Sequence, residues 1–190
     1  EPVSASYDVS QPVSAYVFKT IADPFVGRFS LVKVTDGILK ADSAVYNANK
    51  DAEERIGKLY VLRGKEQIEV NALYAGDIGA IAKLSVTKTG DTLSPKAIIF
   101  EKAEMPEPYT FVRYIAKTKG DEDKISAALK KLMDEDLTLK EVNDKANRQM
   151  LLYGLGDQHL EIVKSKLADR YKVEIELVKP KVAFKETIRS

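Results

Sequence analysis

Glycine, acid and histidine crowd into one run of the sequence, Leu152-Tyr153-Gly154-Leu155-Gly156-Asp157-Gln158-His159-Leu160-Glu161. Two glycines in such a setting end a strand and open a helix, and the turn brings backbone N–H groups close to whatever lies above it. His159 falls in the first turn of that helix and is the sole histidine, so a histidine-based metal cluster cannot be built. A Ser-His-Asp triad lacks its usual companion, a Gly-x-Ser-x-Gly elbow. A helix-start histidine bonded to nearby backbone or carboxylate accounts for the same residue. A plain strand-to-helix turn likewise accounts for Gly154 and Gly156.

Phosphate chemistry finds no home either. The pair Gly64-Lys65 has Leu59 where a phosphate loop needs its first glycine, and Glu66 where it needs Ser or Thr. Asn49-Lys50-Asp51-Ala52 approaches the guanine-recognition pattern Asn-Lys-x-Asp, with its Asp one residue early. No catalytic, cofactor-binding or metal-binding residue is therefore assigned to this segment. There are no cysteines, which excludes disulfides, thiolate metal sites and cysteine nucleophiles and is compatible with a reducing cytoplasm.

The chain has 190 residues, 44% hydrophobic and 31% charged, enough for one large domain or two small ones. Thirty basic residues against 29 acidic give a net charge of +1, so no bulk field draws it to nucleic acid. Positive charge gathers locally near the end, at Lys164, Lys166, Arg170, Lys172, Lys179, Lys181, Lys185 and Arg189. A solvated face balanced by Asp and Glu explains that run as well as an RNA-facing patch does. No apolar run reaches membrane-spanning length, no signal peptide is visible, and no membrane partner is expected. The chain starts at Glu1 without methionine and reads as a piece of something larger.

Two regimes of pattern must position these residues. From Val13 to about Ala103 the period is two, and strands are expected at 13–19, 28–34, 44–46, 54–62, 67–70, 78–84 and 98–102. Asp36-Gly37 is a hairpin signal leading into Ile38-Leu39. Many short strands without a helix predict a closed or nearly closed β-barrel at about 1–105. Met105-Pro106-Glu107-Pro108 suits a stiff linker. Beyond it, strands are expected at 109–116, 137–142, 149–153 and 173–177, with one helix carrying Ile125, Ala128, Leu129, Leu132 and Met133 behind Asp121, Glu122 and Asp123 at its start, and a second from about Gln158 to Tyr171. That β-α-β-β-α-β order predicts an α+β ferredoxin-like domain at about 109–178. The order also suggests an RNA-recognition module, but Gln149-Met150-Leu151-Leu152-Tyr153 offers only Tyr153 as a stacking aromatic, so base stacking on the sheet is not expected.

Five stretches, in order and suitably spaced, resemble the elongation factor G family. They are the run from Val17 to Arg28, Ala75-Gly76-Asp77-Ile78-Gly79-Ala80, Thr89-Gly90-Asp91-Thr92-Leu93, the 105–108 linker, and the glycine turn with Lys179-Pro180-Lys181-Val182-Ala183-Phe184-Lys185-Glu186-Thr187-Ile188. The resemblance implies domains II and III of a cytoplasmic translational GTPase that promotes tRNA–mRNA translocation, followed by a linker and the start of domain IV at 179–190. The implied parent uses GTP and Mg²⁺, none held in this segment. Its partners would be the ribosome, through small-subunit ribosomal RNA and protein, and its own GTPase domain and domains IV and V. A paralogous ribosome-recycling or ribosomal-protection GTPase fits the same motifs, and a protein-interaction module with no role in translation is the reading from a different class. Candidate ribosome contacts are Asp23, Pro24, Arg28, Lys164 and Lys166. By the same resemblance Tyr153, Gly154, Gly156, Gln158, His159 and Val163 border the GTPase domain and the fusidic acid pocket. Family members usually carry Glu-Leu where this chain has Asp157-Gln158, and a small residue where Tyr153 stands.

Overall fold

Alternating burial runs through the first of two units into which the chain divides, Glu1–Glu104 and Met105–Ser190. The computed structural model describes residues 4–23, 27–95 and 98–182. In the first unit, long strands β1 (Ser14–Asp23) and β2 (Gly27–Asp36) form a hairpin that bears most of the apolar alternation. Shorter strands follow: β3 (Ile38–Lys40), β4 (Ser43–Asn47), β5 (Ala52–Ile56), β6 (Leu59–Arg63), β7 (Glu66–Val70), β8 (Ala72–Tyr74), β9 (Ile78–Ala82) and β10 (Thr92–Leu93). Eight of them make one antiparallel sheet in the order β5-β4-β10-β1-β2-β9-β6-β7, while β3 pairs with β8 separately.

The fold class expected from the sequence is corrected at the barrel. The eight-stranded sheet is open: β5 and β7 lie at its two ends and do not pair with each other. Two features explain this. The expected strand 54–62 is two strands, broken at Gly57-Lys58, and the halves go to distant places, β5 onto β4 and β6 onto β9. The β7 edge carries Glu66 and Glu69, ion-paired to Arg63 and Lys58, and charge of this kind protects an edge without closure. The sheet still curls around one core, because Val45 and Ile56 from one end meet Leu59 from the other, with Val17, Val32 and Leu93 between them.

Other expectations change as well. Asp36-Gly37 does not make a β2–β3 hairpin, since β3 pairs with β8. Gly37 is instead required by space and backbone: φ is +72°, and a Cβ would lie 2.6 Å from the carbonyl oxygen of Gln11. Residues 98–102 form no strand. They are held by side chains, with the Phe100 ring edge-on to Tyr16 at 6.0 Å and the Phe100 N–H donating to Thr92 Oγ1 at 2.9 Å. The short strands β8 and β10 had no visible signal.

One buried acid organises the loop between β9 and β10. Glu54, 2% exposed, accepts from Ser85 N–H at 3.0 Å, Ser85 Oγ at 3.0 Å, Val86 N–H at 2.7 Å and Thr87 N–H at 2.7 Å. Asn47, fully buried, donates to Thr87 Oγ1 at 2.9 Å and to the equally buried Asp91 at 3.1 Å.

The second unit runs β11 (Thr110–Ala116), α1 (Glu122–Glu135), β12 (Lys140–Asp144), β13 (Gln149–Gly154), α2 (Asp157–Tyr171) and β14 (Ile175–Val178). Its sheet is antiparallel in the order β12-β13-β11-β14. Ile125, Leu129 and Leu132 of α1 and Leu160, Val163 and Leu167 of α2 share one core with Tyr114, Leu152 and Ile175 of the strands, so both helices cover the same sheet face.

Burial alone would raise the Glu54 carboxyl, but hydrogen bonds from residues 85–87 outweigh it and hold the group below its ordinary 4.5. A lowered folded value gives stability that is complete above pH 4.5 and lost as pH falls through the folded value. Glu54→Ala is expected to cost about 3 kcal/mol in urea unfolding at neutral pH. Glu54→Gln should flatten the acid limb of the stability profile, and an unchanged limb would show that Glu54 does not carry it.

Candidate functional site

The glycine turn is built from the end of β13 and the start of α2. Gly156 precedes the helix with φ of 172°, an extended backbone open to any residue, and a Cβ there would meet nothing within 4 Å. Gly154 is different. A Cβ at that position would fall 2.8 Å from Leu160 Cδ2 and 2.9 Å from His159 Nδ1. The close approach of α2 to the end of β13 therefore depends on one glycine of the two.

His159 uses both ring nitrogens inside the unit. Nδ1 accepts from the Leu155 N–H at 3.1 Å, which places the proton on Nε2, and Nε2 donates to Asp136 Oδ2 at 2.8 Å. Asp136 is the C-terminal cap of α1 and also accepts from Thr138 N–H at 3.0 Å and Thr138 Oγ1 at 2.6 Å. Burial alone would raise the Asp136 carboxyl, but the bonds from Thr138 and His159 hold it below the usual carboxylate value. The imidazole thus joins the turn before α2 to the end of α1. No cluster of three metal-ligating side chains occurs among the described residues.

The structure brings together only part of the predicted border. Gly154 and His159 touch, Gly156 is two residues from Gly154 in the same turn, and Val163 is buried in the core at 2% exposure. Gln158 is exposed on the outer surface of α2, one turn from Ile162, an isoleucine 54% exposed. Tyr153 points to the sheet face away from both helices, where it stacks on Phe111 with centroids 5.0 Å apart. Asp136 and Phe111 escaped the sequence reading. Asp-Leu-Thr after a helix was the available signal for Asp136, whereas Phe111 meets Tyr153 only through strand register.

The charged candidates are engaged locally. Asp23, ending β1, accepts from Gln67 Nε2 at 3.1 Å. Pro24 lies outside the described residues. The Arg28 guanidinium donates to the carbonyls of Leu84 and Ser85, the latter at 3.2 Å. Lys164 pairs with Glu161 at 3.0 Å, a turn away on α2, while Lys166 is half-buried between Val163 and Leu167 on that helix. Arg170 pairs with Glu135 at 3.1 Å. Lys185 and Arg189 lie outside the described residues.

Two family models match the chain. Residues 12–96 match "Elongation factor G domain 2", and residues 105–179 match "Elongation Factor G, domain III". A crystal structure from Thermus thermophilus superimposes with a TM-score of 0.79 at 32% identity, covering 90% of this chain and 26% of that one. The chain thus spans about a quarter of the length of that relative.

The two glycines should separate cleanly by stability. Gly154→Ala is expected to cost roughly 1–3 kcal/mol, because Leu160 and His159 must give way. Gly156→Ala should stay within about 0.5 kcal/mol of wild type. Equal losses at the two positions, measured by thermal and urea unfolding, would contradict the geometry.

Proposed function

The chain belongs to the elongation factor G family, and from that premise we propose that it is the ribosome-binding central segment of a cytoplasmic GTPase that promotes tRNA–mRNA translocation. One observation carries the reading: the family's second and third domains match in order, each on its own unit. Neither matched domain is the family's GTPase domain, so GTP and Mg²⁺ belong to the parent protein. No helix among the described residues is long and apolar enough to cross a membrane.

The proposed contacts divide by what the charges already do. Arg28 spends its donors on the loop after β9, so its contribution to ribosome binding comes through the shape of that loop as well as through charge. Lys164 and Lys166 sit on α2, and Lys164 is held by an exposed ion pair of little energetic weight. Gln158 and Ile162 present a mixed polar and apolar strip on the same helix, suited to the parent's own GTPase domain.

Co-sedimentation of the full-length parent with ribosomes, with and without a non-hydrolysable GTP analogue, tests the assignment. Binding that strengthens with the analogue is expected, and indifference to ribosomes would overturn it. Lys164→Glu with Lys166→Glu should weaken that binding and flatten its salt dependence, lowering the slope by roughly one for each phosphate no longer neutralised. The 190-residue segment alone should show no saturable GTP binding.

A further inference from the structure

The sheet of the second unit has two faces of different character. Val112, Tyr114, Met150 and Leu152 turn toward the helices. Phe111, Arg113, Leu151 and Tyr153 therefore turn the other way, because side chains alternate along a strand. Strands β11 and β13 are the two central strands, and Phe111 stands directly opposite Tyr153 in their register. The rings lie 5.0 Å apart and 23° from parallel, and Phe111 remains 43% exposed. Counted along β13 alone the sheet carries one aromatic; pairing with β11 supplies the second. An aromatic pair on the central strands of a four-stranded antiparallel sheet is the platform on which unpaired bases stack.

Cations flank the pair. Lys140 stands opposite Tyr153 on the outer strand β12. Arg113 follows Phe111 by two residues on the same face, about 7 Å along the strand, and makes no ion pair among the described residues. Lys140 pairs with Glu107, but both are at least half exposed, so a phosphate can replace that carboxylate at little cost. The acids on this face lie at its other end. Asp144 is occupied by Asn147 at 2.7 Å and Gln149 at 2.8 Å, and Glu176 stands beside Ile115. The chain leaving β14 crosses that same end, where Lys181 N–H donates to Gln149 Oε1 at 2.8 Å.

We propose that this outer face binds single-stranded RNA, stacking an unpaired base on Phe111 and Tyr153 with Lys140 and Arg113 at the adjoining phosphates. The site goes beyond the ribosome-binding reading, since a free single strand suffices as ligand.

Fluorescence anisotropy of a labelled mixed-sequence hexaribonucleotide, titrated with the 190-residue chain, provides the test. Phe111→Leu and Tyr153→Leu should each weaken binding roughly tenfold, the loss of one stacking partner. Phe111→Tyr should retain it, and Arg113→Gln should lower the salt slope by about 0.7. Duplex RNA of equal length should not distinguish wild type from the leucine variants. Thermal unfolding confirms that each variant is folded. Two results would each overturn the proposal: no binding by the folded wild type, or leucine variants that bind the hexaribonucleotide as tightly as wild type. Neither would disturb the family assignment.

Discussion

An ionised carboxylate taken out of water costs several kcal/mol unless donors replace the solvent, and Glu54 finds four donors on three consecutive residues, Ser85 to Thr87. The same loop is gripped from its acceptor side, where Arg28 donates to the carbonyls of Leu84 and Ser85. An acid on β5 thus binds the amides, and a base on β2 binds the carbonyls just before them. This matters because β5 ends the sheet. With no ladder joining β5 to β7, the curvature of the first unit is maintained by side chains reaching inward from β5 and by the shared apolar core. Asn47 and Asp91 extend the arrangement to the strand next to β5, and Lys102 ties Asp91 at 3.3 Å to the segment leading out of the unit.

Such an arrangement is nearly invisible in sequence. Glu53, Glu54 and Arg55 form a run of three charges, and alternation says only that one parity faces in. Which parity wins depends on a partner loop some thirty residues away. The same limit produced the mistaken closure. Short alternating strands identify a β unit, but the choice between closed and open sheets depends on how β5 and β6 diverge at Gly57-Lys58, a break too weak to interrupt the apolar pattern. The second unit was more legible because its signals are local. The change from period two to helical spacing located α1 and α2, and the two glycines marked the end of β13.

The glycine turn shows how a motif that looks chemical can be geometric. Its histidine carries one hydrogen bond to the turn and one to the far end of α1, so the imidazole fixes the spacing of two helix ends. Sequence proximity identified Gly154, Gly156 and His159 as a group, yet it could not rank them. Ranking required the distance from an imagined Cβ at residue 154 to Leu160 and His159, which only packing supplies. Asp136, 23 residues before His159, completes the contact and was unreadable for the same reason.

The two faces of the second sheet explain why Tyr153 and its neighbours separate. One face must fill a core, and Leu152, Tyr114 and Ile175 meet both helices there with little freedom to vary. The opposite face has no helix to satisfy, so its residues are constrained by register and by whatever they contact in the assembled protein. A tyrosine at 153 leaves the core untouched, since its ring rests on Phe111 rather than on α2. A change at that position can therefore alter a surface without disturbing the helix contacts made by Gly154, one residue further along. Strand alternation alone provides this separation, placing a core-packing glycine and a surface aromatic side by side in sequence and on opposite sides of the sheet.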